Sequence, residues 1–310
     1  MNKRVVTGIV FAVAMAAIVV PSFRFPGITA GFLFIISFLC MMEYARALLR
    51  KHPQISLLIT LGGSLITLAP LMAWLPYRTL REGWNLLTAK DGTIDKYWRT
   101  DFIWLVFIAL GGILLFTIVY SFISFSAQVL RKGPGVIPDT ILSLSGIFYI
   151  SVPFALSMVF LFAVPNGFRW LILSFFLPWV VDIAAYYSGT YFGRKKFLAK
   201  ISPQKTVEGF LGGILGSVLI SLLFFIIFMR GPAPLQPGAG MVIMYGVISG
   251  VVIGIVSQMG DWIASAIKRY TGRKDFGRLL PGHGGLLDRF DSVLTTVPAV
   301  LIIAIFYSLF

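Results

Sequence analysis

The chain has 310 residues, of which 58% are hydrophobic and only 12% charged, with 28 phenylalanines and a mean hydropathy of +0.90. A soluble domain carries about twice that charged share, so the composition excludes a water-soluble protein and implies one embedded in lipid. The net charge of +14 invites a nucleic-acid reading, but the basic residues lie between apolar runs, where they orient a protein against a bilayer; no nucleic-acid partner is expected.

A bilayer crossing needs about 20 apolar residues. Nine runs approach that length, at roughly 5–20, 28–49, 55–75, 102–125, 140–164, 168–188, 209–229, 241–264 and 292–310. The expected fold is therefore an all-α polytopic membrane protein of about nine transmembrane helices, with a polar, cytoplasm-facing site in its C-terminal half. Lys3 and Arg4 precede the first run, which is read as a retained span because residues 21–26 offer no small-x-small cleavage site. The single cysteine, Cys40, excludes an intrachain disulfide. With nine spans, 18 of the 26 basic residues fall in loops on the N-terminal side. The excess of basic residues puts the N-terminus and the site in the cytoplasm and the C-terminus outside.

Residues 1–165 form an N-terminal scaffold and 166–310 a catalytic region within one continuous membrane domain. The scaffold has few ionisable groups inside its spans. Arg46, Arg50 and Lys51 make a basic collar suited to lipid phosphate, and His52 beside them is expected to be an exposed polar residue. Residues 77–101, with Trp84, Tyr97 and Trp98, fit an interfacial loop with aromatic anchors. No internal repeat or low-complexity linker divides the chain.

The first charge inside a span is read at Asp182. A carboxylate there costs about 2.5 to 3.5 kcal/mol on insertion scales, so it marks a site or a hydrogen bond between helices. On a helix, Asp182, Tyr186, Gly189 and Gly193 share one face, which is expected to turn inward. Ser202 and Pro203 then suit an N-cap and first helical position, which puts Lys205 in the first turn of an anion-binding helix start. Glu208 follows, as a partner for Lys205 or a neighbouring base. Glycines repeat at intervals of four at 209 and 213, 212 and 216, and 246, 250 and 254. Small residues at that spacing let helices pack closely. Should the eighth span continue as a helix, Gly250, Gly254, Ser257, Asp261, Ser265 and Lys268 form one stripe that turns polar towards the cytoplasm.

The stretch 261–291, DWIASAIKRYTGRKDFGRLLPGHGGLLDRFD, concentrates four carboxylates, six Lys or Arg, a histidine and five glycines. Carboxylates hold a hard cation, basic side chains clamp phosphate oxygens, and glycines let a backbone approach a bulky anion. Such a mixture suits phosphoryl or nucleotidyl transfer; a solvated charged loop is the bland alternative.

This stretch resembles the signature of the phosphatidate cytidylyltransferases (CDP-diacylglycerol synthases). The resemblance rests on Ser265, Lys268, Arg269, Lys274, Asp275, Gly277, Pro281, His283, Gly284, Gly285, Asp288, Arg289 and Asp291. Two upstream segments also resemble elements of that family: residues 182–194, with Ile183 where a small hydroxyl residue is expected, and the S-P-x-K-T-x-E-G element at 202–209. The resemblance covers the chain from about residue 168 onward.

It implies cytidylyl transfer from CTP to phosphatidate, giving CDP-diacylglycerol and pyrophosphate, in the inner (plasma) membrane of a bacterium. Asp261 and Asp288 are the expected magnesium ligands, with Asp291 and Asp182 in reserve and room for a second ion such as K+. Lys205, Lys268, Arg269, Lys274 and Arg289 would bind phosphates, Ser265 would bind or cap, and His283 with Gly284 and Gly285 would face an anion. For His283, phosphate contact ranks ahead of metal ligation, and a structural role is the alternative. No covalent nucleophile is needed, because the lipid phosphate attacks for itself. A CTP-dependent lipid kinase, with Asp182 as base, and an ion-coupled transporter are the rival functions. Homodimer formation is left open.

Overall fold

The structure, a computed structural model, describes residues 26–53, 55–71, 94–196, 202, 204–229, 238–279 and 284–309. In lipid, backbone N–H and C=O groups must be satisfied within the segment, so apolar runs fold as helices. Among the described residues every named element is a helix, and the single β-bridge joins Lys196 to Thr206. The elements are α1 (Pro26–Leu49), α2 (Leu57–Gly62), α3 (Ile94–Lys132), α4 (Ile137–Gly146), α5 (Val152–Ala163), α6 (Gly167–Phe192), α7 (Val207–Phe228), α8 (Ala239–Tyr270) and α9 (Leu287–Leu309).

Seven stretches among the described residues are long and apolar enough to cross a membrane. They are α1, Ile103–Lys132 of α3, Pro134–Ala163 (which joins α4 to α5), and α6 to α9. The expectation of nine is met to that extent. Its first run lies outside the described residues. Its third is a short apolar helix, Leu57–Leu71, which Ser56 caps by accepting from Ile59 N at 3.3 Å and which tightens to a 3-10 helix over Gly63–Leu68. The expected interfacial loop is also partly helical, since α3 begins at Ile94 and carries Tyr97 and Trp98.

The chain divides into two compact units, Met1–Gly167 with Asp275–Asp288, and Phe168–Lys274 with Arg289–Phe310. Polar ties at scattered positions order the first: Thr67 Oγ1 donates to Ser37 Oγ at 2.8 Å, Tyr120 Oη donates to Ile59 O at 2.8 Å, and Tyr44 Oη lies 2.7 Å from Ser145 Oγ. His52 is not the free surface residue expected. Its Nδ1 lies 2.8 Å from Asp139 Oδ1, with side-chain exposures of 18% and 14%, because the loop after α1 meets the first turn of α4.

In the second unit the glycine repeats are packing surfaces. A Cβ at Gly246, Gly250 or Gly254 would run into the α7 backbone at Leu222, Val218 or Ile214, and one at Gly209, Gly212 or Gly216 would strike α6 at Ala185, Ser188 or Ala184. Only hydrogen fits, so α7 lies tightly between α6 and α8. At one end of this bundle Tyr307 of α9 sits edge-on to Trp170, Phe225 and Tyr245 and donates to Met229 O at 2.8 Å. Along α9, Thr296 Oγ1 donates to Ser174 O at 2.9 Å and Thr295 Oγ1 to Val256 O at 2.9 Å. These bonds fix the register of α9 against α6 and α8.

Candidate active site

Polar chemistry in the second unit begins where the glycine stripe of α8 ends. The helix does run unbroken to Tyr270, so the stripe passes from buried Gly250, Gly254 and Ser257 to Asp261, whose side chain is 26% exposed. Asp261 Oδ2 accepts from Lys205 Nζ. The ammonium also stands 5.8 Å over the centre of the Trp262 ring, within reach of a cation–π attraction.

Lys205 reaches this position by a route other than the one expected. α7 starts at Val207, and Thr206 is its N-cap, accepting from Gly209 N at 3.1 Å. Ser202 is therefore not the cap, and Lys205 precedes the helix. The cause is local: Thr206 has extended backbone angles, and Val207 N donates to Lys195 O at 2.9 Å, which holds the chain extended up to that residue. Of the two partners expected for it, Glu208 meets the neighbouring base, Arg194, rather than Lys205. Its Oε2 accepts from the backbone N of Arg194 at 3.0 Å and of Lys195 at 3.3 Å, so it shapes the basic turn after α6.

The other charged groups gather from α6, α8 and α9. Asp291, 7% exposed, has Lys268 Nζ 3.9 Å from its Oδ2 and counts Asp261 and Asp182 among its charged neighbours. Asp182 in turn has Asp261, Lys205 and Arg289 around it and remains accessible. Three carboxylates and three cations thus share one polar site, drawn from α6, α8, α9 and the segment just before α7. The inward turn expected of the Asp182 face holds in part: Gly189 and Gly193 abut Thr206, but Asp182 and Gly193 are exposed and Tyr186 is 68% exposed. Further along α8, Ser265 is half-buried and Arg269 exposed; Lys274, in the turn beyond it, is also exposed.

In the first unit the signature loop is closed by Asp288. Its Oδ2 accepts from Phe276 N and from Gly285 N, both at 2.9 Å. Gly284, at φ +86°, makes the left-handed turn that brings Gly285 round, and buried Phe276 anchors the opposite end. Sequence reasoning missed the residue beneath this loop. Glu43, in the C-terminal third of α1, is 5% exposed, and its Oε2 accepts from Leu287 N at 2.8 Å. It precedes Asp182 in the chain as an ionisable group within a span, and unlike Asp182 it is buried; a glutamate flanked by apolar residues in the second run was the available sign. His283 lies outside the described residues.

The donor set suits magnesium, since Asp182, Asp261 and Asp291 are hard oxygen ligands in one another's field. No group of three or more His, Cys, Asp or Glu among the described residues is gathered closely enough to form a ready-made cage. Magnesium does not require one: it binds through one or two carboxylates and completes its shell with water and substrate phosphate.

The model of the cytidylyltransferase family matches residues 2–308. The chain belongs to that family. A phosphatidate cytidylyltransferase of Staphylococcus epidermidis is 36% identical over 202 residues, 65% of this chain and 72% of the relative. The enzymes of that name from Staphylococcus haemolyticus and Staphylococcus aureus are 35% and 34% identical over 190 residues, 61% of this chain and 68% of each relative. Membership accounts for carboxylates and cations in the same polar site, the combination a nucleotidyl transfer requires.

Proposed function

We propose that this protein transfers the cytidylyl group of CTP to phosphatidate, leaving CDP-diacylglycerol in the bilayer and releasing pyrophosphate. The observation that carries the reading is the polar site of the second unit, where Lys205, Lys268 and Arg289 face Asp182, Asp261 and Asp291 among helices that otherwise pack through glycine and apolar side chains. The matching relatives carry the name of that activity over about two thirds of the chain.

The acceptor supplies its own nucleophile. A phosphate monoester has its second pKa at about 6, so at neutral pH an anionic oxygen attacks the α-phosphorus of CTP. A new P–O bond forms, the bond to the bridging oxygen of the β-phosphate breaks, and pyrophosphate leaves with that electron pair. Lys205 and Lys268 exchange their carboxylate partners for phosphate oxygens and neutralise charge on the triphosphate as it shifts toward the leaving group. Asp261 and Asp291 keep the two ammonium groups in place before substrate arrives. Asp261, with Asp182 and Asp291 beside it, would hold magnesium, which supplies Lewis-acid polarisation of the phosphate oxygens when bound. No side chain is acylated or phosphorylated.

The experiment is product analysis in vesicles supplied with phosphatidate. Label from the α-phosphate of CTP enters lipid and label from the γ-phosphate does not. Incorporation of γ-label would instead mean a kinase, and incorporation of neither would remove lipid-directed CTP chemistry altogether.

The basic residues that flank the spans orient the site toward the cytoplasm of a bacterial inner membrane, where CTP is made. A reporter joined after Phe310 is accordingly expected outside the cytoplasm. A cytoplasmic signal from it would overturn this orientation.

A further inference from the structure

We infer that Glu43 is the positioning residue for the signature loop, a buried carboxylate on α1 around which residues 275–279 and 284–288 are moulded. The inference rests on the function proposed above and adds to it a residue outside the C-terminal half.

Three features of the first unit converge on this side chain. Its Oε2 takes the hydrogen bond of Leu287 N, one of the backbone donors left over where α9 begins. Its carboxylate also fills the space that a side chain would occupy at two separate glycines. A Cβ on Gly277 would collide with Oε1, and one on Gly285 would collide with Oε2. Gly277 and Gly285 belong to opposite arms of the loop, so the two arms close over one carboxylate. Gly285 is also a donor to Asp288. Displacing Glu43 therefore disturbs the same backbone that fixes the Asp288 carboxyl.

The residue types follow from this arrangement. A helix N-terminus favours a negative charge, and a buried N–H needs an acceptor. An apolar residue at 43 leaves the Leu287 donor unanswered. Glutamine keeps a carbonyl oxygen at nearly the same place, so the hydrogen bond survives the loss of charge.

The test uses the full chain in detergent, with wild type, Glu43→Gln, Glu43→Ala and Gly285→Ala, each checked for a monodisperse elution profile. Two readouts are taken: the rate of tryptic cleavage after Arg278, an exposed site within the loop, and kcat and KM for CTP. Glu43→Gln should stay within about threefold of wild type in both, because its acceptor remains. Glu43→Ala should raise cleavage after Arg278 by about tenfold, leave other tryptic sites at wild-type rates, and lower kcat/KM by about ten- to a hundredfold, the usual cost of losing the support of a reacting group. Gly285→Ala should release the loop in the same way by pushing a methyl into an intact Glu43, and it stands in should Glu43→Ala fail to fold. Wild-type cleavage and kinetics in both alanine variants overturn the inference, as does a Glu43→Gln variant that falls as far as Glu43→Ala. If wild type itself transfers no cytidylyl group, the proposed function fails while the cleavage rates still judge the role of Glu43.

Discussion

Replacing Asp261 by asparagine is expected to lower kcat/KM for cytidylyl transfer by about a thousandfold, equivalent to about 4 kcal/mol of transition-state stabilisation. The substitution keeps shape and volume, so α8 and its glycine contacts with α7 should persist and the protein should elute and melt as wild type does. What changes is charge. Three carboxylates face three cations in the polar site; the variant has two against three, and the ammonium of Lys205 loses the oxygen that holds it. The magnesium concentration for half-maximal rate should rise as well, because an amide oxygen is a weaker ligand than a carboxylate. Lys205→Ala should act chiefly through CTP, raising its KM by about tenfold or more. Because the two residues form one pair, the double variant should lose less than the sum of the single losses. Near-normal turnover in Asp261→Asn, with unchanged magnesium dependence, would falsify the placement of the reaction in this site.

Asp288→Asn is expected to cost about as much, for a separable reason. The carboxylate closes the signature loop by accepting two backbone hydrogen bonds, and an asparagine carbonyl can take over both. Asp288→Ala can take over neither and leaves two buried donors without an acceptor, at about 1 to 3 kcal/mol each. Loop closure alone would therefore predict an active Asn variant and an impaired Ala variant. A role for the charge in the reaction predicts that both lose turnover. We expect the second pattern: both variants inactive, with cleavage after Arg278 accelerated only in Asp288→Ala. An Asn variant that works normally would reduce Asp288 to a staple of the loop. The comparison needs only steady-state rates and a digestion time course.

Much of the second unit could be read along the chain because its causes are local. The α8 stripe is a matter of spacing: residues three and four apart share a helix face, so Gly250, Gly254 and Asp261 fell on one line before any partner was known. The glycine repeats announced close packing for the same reason, and their collision partners on α6 and α7 bear it out. Lys205 shows where local reasoning ends. Ser-Pro is a good helix start in isolation, but Thr206 competed for the cap with an extended backbone held by Lys195, and the lysine was left outside the helix.

The sequence by itself determined that the protein is helical and lies in a membrane and where its charged side chains concentrate, and it raised the expectation that phosphate and a hard cation meet there. These follow from composition and from periods of three and four residues, which are properties of short segments. Only the tertiary structure decided that Lys205 meets Asp261 across 56 positions, that Asp291 is buried among other charges, and that Glu43 meets the backbone of Leu287 across 244. Such pairings depend on where separate helices cross. Crossing points are set by which small residues let two backbones approach, and that is a property of two surfaces together that neither segment encodes alone.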